Sequence, residues 1–323
     1  MDYLVSIIVP VYKAEVFIER CAHALFGQTF LNMEYVFVDD ASPDNSINII
    51  QRMALYYPHR AGSIHYVRHS RNRGVAAARN TGLFSAIGDF VIFFDSDDWM
   101  EKNTVESMYE EIIRTNADIV WTDFYKTYPD HEILSVQKID STALACVKAL
   151  LCEQMHGGLW NKLVRRSLYE KYDVCFLPGL NIWEDLRVCI QLFSYAKNIV
   201  YLPRAFYHYV QYNKDSVCTA EVLTGLNDVV GNAESVFSFL AKNGICDKVR
   251  TEMNYLKLAT KRNLLIRTHL HSFIRWKLIY PEANAYILTY RALPLRLRML
   301  GWFVTNNWWL VVKCWIFLKK KKL

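Results

Sequence analysis

Along the first part of the chain, short apolar runs take turns with segments whose apolar residues recur at helical spacing. VSIIVPV at residues 5–11 and YVFV at 35–38 have almost no polar face, as strands buried on both sides of a parallel sheet require. Between them, residues 15–30 predict a helix, so the opening reads as a βαβ unit. The alternation continues. A helix is predicted over 46–57, a strand over 64–67, a helix over 74–87 and a strand over 90–94, making residues 1 to about 125 a doubly wound α/β unit.

Past that point a helix is predicted over 104–115 and a strand in ADIVWTDF at 117–124, after which the alternation fades. Segments 141–155, 166–172 and 184–195 read as helices, and roughly 221–270 reads as amphipathic helix interrupted at GLNDVVGN and KNGIC. The predicted division is a catalytic domain over 1–215, its halves meeting at 125/126, then a helical region over 216–290 and a distinct tail over 291–323. That tail, RALPLRLRMLGWFVTNNWWLVVKCWIFLKKKKL, joins four tryptophans to a terminal lysine cluster. Residues 300–318 approach the length of a spanning helix but include Thr305, Asn306, Asn307 and Lys313, which favours lying in the membrane interface over crossing it. A helix packed on the protein's own core is the competing reading.

Composition changes this picture little. At 323 residues and 52% hydrophobic content the chain is too apolar for disorder, and a formal charge of +6 that crowds the last third does not indicate nucleic acid. Eight cysteines without a C-x-x-C pair read as free buried thiols, and MDYLVSIIVPVY lacks the features of a signal peptide, so the expected location is the cytosol.

The chemistry gathers at strand ends. Asp39 and Asp40 follow YVFV; Asp95, Asp97 and Asp98 follow FVIFF. In an open α/β sheet, ligands bind outside the carboxyl ends of the strands. One aspartate there would read as a helix cap. Five carboxylates at one edge repel and raise each other's pKa, which calls for a divalent cation or arginines nearby. A further pair, Glu184 and Asp185, opens the helix LRVCIQLF. Helix N-terminal acids are the plain alternative for that pair.

VSIIVPVYKAEVFIERC, QTF at 28–30, VFVDDASPDNS at 37–46, NRGVAAARNTGL at 72–83, DSDD at 95–98 and IWEDL at 182–186 together resemble the family 2 glycosyltransferases of GT-A fold, over roughly residues 4–210. WNKLVRRSLYE at 160–170 resembles the branch that builds bacterial cell-surface polysaccharides. The resemblance implies a Rossmann-like, mostly parallel sheet with flanking helices plus a helical C-terminal region. It implies a nucleotide-sugar donor, UDP-linked in preference, and Mg²⁺ or Mn²⁺ to meet charge on the leaving diphosphate. Pro10, Val11 and Tyr12 would wall the nucleobase and Asp40 would accept from it, with Asp39 as the lesser candidate. Asp95 would meet the ribose and Asp97 the metal, Asp98 being the alternative ligand. Arg79 would either contact phosphate or pair with an aspartate. Asp185, with Glu184 beside it, would take the proton from the acceptor hydroxyl in an inverting single displacement.

Around these, Trp183 reads as a sugar platform or as core, Lys162 as a diphosphate contact or solvated surface, and His156 as part of an acceptor loop or as a packed histidine. The implied acceptor is a glycan or polyprenyl-linked glycan at the inner face of the cell membrane, met by a peripheral enzyme. An inactive nucleotide-sugar-binding scaffold would have lost DSDD or ED. A nucleotidyltransferase would carry a Gly-rich phosphate loop after the first strand. A processive synthase would carry Q-x-x-R-W, of which SFIRW at 272–276 keeps only R-W.

Overall fold

The computed structural model describes residues 3–213, 225–267 and 269–320. Its first half follows the apolar pattern closely: β1 (Val5–Val11), α1 (Ile18–Phe26), β2 (Met33–Asp39), α2 (Ser46–Ala54), β3 (Ile64–Arg68), α3 (Val75–Ser85) and β4 (Phe90–Phe93). Strands β1, β2 and β4 are buried along nearly their whole length, which is why they carry no alternating polar face. They pair in parallel in the order β3-β2-β1-β4.

The second half is mixed. It adds β5 (Trp99–Met100), α4 (Thr104–Thr115), β6 (Ile119–Thr127), β7 (Glu132–Ser135), α5 (Ala143–Leu151), β8 (Lys162–Arg165), α6 (Arg166–Lys171), α7 (Glu184–Tyr195) and β9 (Ile199–Val210). Antiparallel β8 joins β4 to β6, so the sheet continues β4-β8-β6-β9-β5 with β7 on β6. The halves expected to meet at 125/126 therefore share one sheet, parallel in its first half and mixed in its second. Four of these strands gave no sequence signal. β9 holds Pro203 and Arg204 and pairs β6 through register shifts at Thr122–Phe124, which breaks both the buried-run and the alternating pattern.

Beyond the sheet lie α8 (Leu226–Lys242), α9 (Arg250–Ile266), α10 (Leu270–Leu278), α11 (Leu295–Thr305) and α12 (Trp309–Lys320). The expected break at KNGIC is present, but α8 runs unbroken through the second part of GLNDVVGN. Gly231 there is a packing notch, since a side-chain carbon on it would lie 2.9 Å from Leu180. Residues 221–224 lie outside those described.

The C-terminal helices have a core of their own, in which Leu258, Leu265, Phe273 and Trp276 meet Leu300, Val304 and Val312. The tail thus packs on the helical region with one face, as the competing sequence reading had it, while Leu295, Trp308, Leu310 and Phe317 stay exposed. Asn306 and Asn307 separate α11 from α12, and no helix among the described residues is long and apolar enough to cross a membrane. Seven cysteines are free thiols, of which Cys21, Cys146 and Cys189 are buried as expected, whereas Cys152, Cys175 and Cys246 are partly exposed and Cys314 is exposed; Cys218 lies outside the described residues.

Candidate active site

The carboxyl ends of β1, β2 and β4 open into a cleft of about 800 Å³. Pro10, Val11, Tyr12 and Asp40 line it, together with Asp95 and Asp97 and with Trp183, Glu184 and Asp185. The residues singled out from sequence thus converge, except Asp98, Asp39 and Lys162.

Asp98 is the first exception. It is fully buried, with Oδ2 accepting from the Tyr207 hydroxyl at 2.6 Å and Oδ1 from the Val210 amide at 2.7 Å. Its carboxylate joins β9 to the strand end beneath the cleft and is absent from the lining, whereas Asp97 faces in, bonded by Asn213 Nδ2 at 2.7 Å. Burial, then the neighbouring aspartates, raise the pKa of both groups. Asp39 is the second exception: it accepts from the Ser42 amide at 2.8 Å and pairs with Arg68 at 3.2 Å, outside the lining.

Asp40 performs local work as well as facing the cleft. Oδ1 accepts from the Arg73 amide and Oδ2 from the Gly74 amide, each at 2.8 Å, which satisfies donors at the approach to α3. His69, bridging Asp40 at 2.6 Å and Thr81 at 2.9 Å, holds that carboxylate in place; no sequence signal singled it out. Gly74 takes φ +85° and has Asn181 directly against it, and Asn181 Oδ1 caps the Ala76 amide at 3.2 Å. The loop that leads into α7 is therefore pinned to the start of α3.

Arg79 makes the carboxylate pairing that was one of its two readings, and it also lines the cleft. Its guanidinium is 4% exposed, pairs with Asp95 at 3.0 Å and contacts the Glu184 carboxylate, so it is committed to carboxylates on both sides of the cleft. Burial raises the Glu184 carboxyl to about 8 against the opposing pull of Arg79. Asp185 is raised too, by burial first, with Arg79 and a bond from the Leu186 amide at 2.7 Å working the other way. Trp183 precedes them at φ +67°, a left-handed conformation uncommon for an aromatic residue, and packs between two cores.

Lys162 does not reach the cleft. It is buried, and its Nζ donates to the His156 carbonyl at 2.9 Å, the Gly158 carbonyl at 2.6 Å and Asn161 Oδ1 at 2.7 Å. Arg165 pairs with Asp118 and Arg166 with Glu170. From the helical region, Arg262 reaches the cleft wall and contacts Glu153, on which the Tyr290 hydroxyl also donates. Nothing in the local sequence signals that long-range cluster.

The family model for Glycosyl transferase family 2 matches residues 6–172, a span that includes β1, the Asp39–Asp40 and Asp95–Asp98 clusters and Arg79. The chain belongs to glycosyl transferase family 2. Among curated proteins of related sequence are two of Bacillus subtilis, named "Uncharacterized glycosyltransferase EpsJ" and "Putative glycosyltransferase EpsH", 31% and 33% identical over 64% of this chain. The chain spans 60% of the length of each. Solved structures share the fold over most of their length. TarS 1–349 of S. aureus in complex with UDP-GlcNAc superposes with a TM-score of 0.61 at 20% identity, over 96% of this chain and 90% of that one. The mannosyltransferase PcManGT of Pyrobaculum calidifontis, in complex with GDP-Man and Mn²⁺, gives 0.57 at 17%, over 97% and 84%. The GT-A-like architecture with its helical C-terminal region is thus the one this family 2 chain adopts.

Proposed function

We propose that this family 2 chain transfers a sugar from a nucleotide-sugar, UDP-linked in preference, to a hydroxyl of a glycan or lipid-linked glycan, by an inverting single displacement. The observation that carries the reading is the Asp95–Arg79–Glu184 bridge. It ties the strand end that would meet the donor to the helix start bearing Asp185, so that the two halves of the chemistry sit at a fixed spacing. Asp185 takes the proton of the acceptor hydroxyl, the hydroxyl oxygen attacks the anomeric carbon, and the bond to the nucleoside diphosphate breaks. Glu184 is too committed to Arg79 to act as the base and serves as the anchor beside it. Asp40 Oδ2 accepts only the Gly74 amide and retains capacity for a base N–H, in keeping with uracil.

Among the described residues no group of three His, Cys, Asp or Glu side chains is arranged to hold a metal. Asp97, with Asp95 beside it, fits a hard cation that completes its shell from phosphate oxygens, as Mg²⁺ and Mn²⁺ do. That cation would supply charge to the leaving diphosphate. Calorimetric titration of nucleotide sugars with and without Mn²⁺ checks this: Asp97→Ala is expected to abolish the metal-dependent part of donor binding. Equal binding by Asp97→Ala in both conditions would remove Asp97 from the metal.

The exposed face of α12 supports a peripheral position on an anionic membrane, where Trp308, Leu310 and Phe317 would enter the interface and the tail's cations would meet headgroups. Removing the tail would also strip Leu300, Val304 and Val312 from their core, so the sharper test keeps it. Leu310→Glu, at a residue 81% exposed, is expected to weaken flotation with phosphatidylglycerol vesicles while leaving thermal stability unchanged. Flotation equal to wild type would refute the interfacial reading.

A further inference from the structure

His156 is fixed far more tightly than a loop residue beside two glycines needs to be. Its ring packs against Phe124, Trp160 and Tyr209, with centroids 5.3, 4.9 and 5.7 Å away, and it lines the cleft. The Gly158 amide donates to Nδ1 at 2.9 Å, so the proton of the neutral imidazole resides on Nε2. No described residue partners Nε2. A side-chain carbon on Gly158 would fall 2.5 Å from Trp160 Nε1 and 2.9 Å from His156 Nδ1, so the position has room only for glycine. Burial, with Lys162 close by, takes the imidazole pKa down to about 3 and keeps the ring neutral.

The same loop is locked to the helix that carries Asp185. Gly157 lies so close to α7 that a side-chain carbon on it would come within 2.9 Å of Leu186 Cβ, and its carbonyl accepts from Cys189 Sγ at 3.0 Å. The loop that carries His156 is therefore fastened to the helix that carries Asp185. Of the cations near this side, Arg79 pairs with Asp95 and Glu184, Arg262 with Glu153, and Lys162 with backbone carbonyls, while Lys126 also acts on the ring. What His156 adds to the wall beside Asp185 is a neutral N–H donor, which a sugar hydroxyl can accept.

We infer that His156 reads the acceptor: its Nε2–H donates to a hydroxyl of an uncharged sugar ring held on the Asp185 side of the cleft. This rests on the glycosyltransferase reading above. A fixed donor on the cleft wall favours a ring that presents a hydroxyl there over one that does not, because only the former replaces the contact with solvent that the N–H gives up on binding. His156 is in this sense a specificity determinant, acting on binding and orientation of the acceptor, with proton removal left to Asp185.

The test compares wild type, His156→Phe and His156→Gln, using whichever nucleotide sugar the wild-type chain hydrolyses. Donor hydrolysis by water and transfer to a panel of p-nitrophenyl glycosides of neutral hexoses are measured side by side. His156→Phe is expected to raise the glycoside KM about tenfold, with donor KM and donor hydrolysis within about twofold of wild type; His156→Gln, which keeps an N–H, is expected to recover part of the loss. Unchanged glycoside KM, or hydrolysis and transfer falling together, would overturn the assignment, as would wild-type hydrolysis without transfer to any neutral glycoside. Absence of any donor turnover by wild type would instead sink the glycosyltransferase reading. Nitrogen-15 NMR of His156 tests the inference independently of turnover: a proton on Nδ1, or a charged ring at neutral pH, would overturn it.

Discussion

Asp185→Asn is expected to lower kcat for sugar transfer by about 10²–10⁴-fold, the range of a lost general base, while nucleotide-sugar affinity stays at the wild-type value. The amide is isosteric and still accepts the Leu186 amide, so the first turn of α7 keeps its shape. What it cannot do is take a proton. Rate against pH supplies a second readout. The base works only when ionised, and burial raises its carboxyl above an ordinary aspartate, with Arg79 offsetting part of the rise. Activity should therefore be full above that raised pKa and fall as pH drops through it, at a higher pH than a solvated aspartate would give. The asparagine variant should show a low rate without that acid limb. Transfer at the wild-type rate by Asp185→Asn would end the base assignment.

The largest effect on stability is expected at Arg79. Arg79→Met leaves Glu184 and Asp95 facing each other across the cleft without their shared cation, and removing one partner from a buried pair destabilises by about 3–5 kcal/mol. Arg79→Lys should recover little, because one ammonium cannot span both carboxylates as the planar guanidinium does. The pH dependence has a definite sign. Without Arg79 the folded-state pKa of Glu184 and Asp185 moves further up; an acid raised in the folded state contributes stability below its unfolded pKa that is lost as pH rises towards the folded one. Urea denaturation should thus find the deficit of Arg79→Met smaller near pH 5 than near pH 8. A deficit that does not change with pH would mean that the loss comes from packing against Phe176 and not from charge.

The parallel half of the sheet was legible because burial on both faces writes itself directly into VSIIVPV, YVFV and FVIFF. The mixed half was not, since β8 is four residues long with a buried lysine and β9 carries a proline, and pairings set by distant partners leave no local period. The site divides along the same line. Tyr12, Asp40, Asp95, Asp97 and Asp185 stand at strand ends and a helix start, where residue type and position coincide. Asp98 looked equivalent to Asp97 by spacing, but neighbours on a turn point to opposite sides, and only the pairing with Tyr207 and Val210 reveals which side. His69, Asn181 and the Glu153–Arg262–Tyr290 cluster draw their meaning from contacts tens of residues away, beyond any motif.

The grip of Arg262 and Tyr290 on Glu153 has a practical corollary. The C-terminal helices cannot be exchanged for those of a cousin as though they were a detachable module. A chimera joined near residue 225 would need position 153 grafted together with its two distant clasps, or the rim of the cleft would lose its fastening while every motif in the catalytic half remained intact.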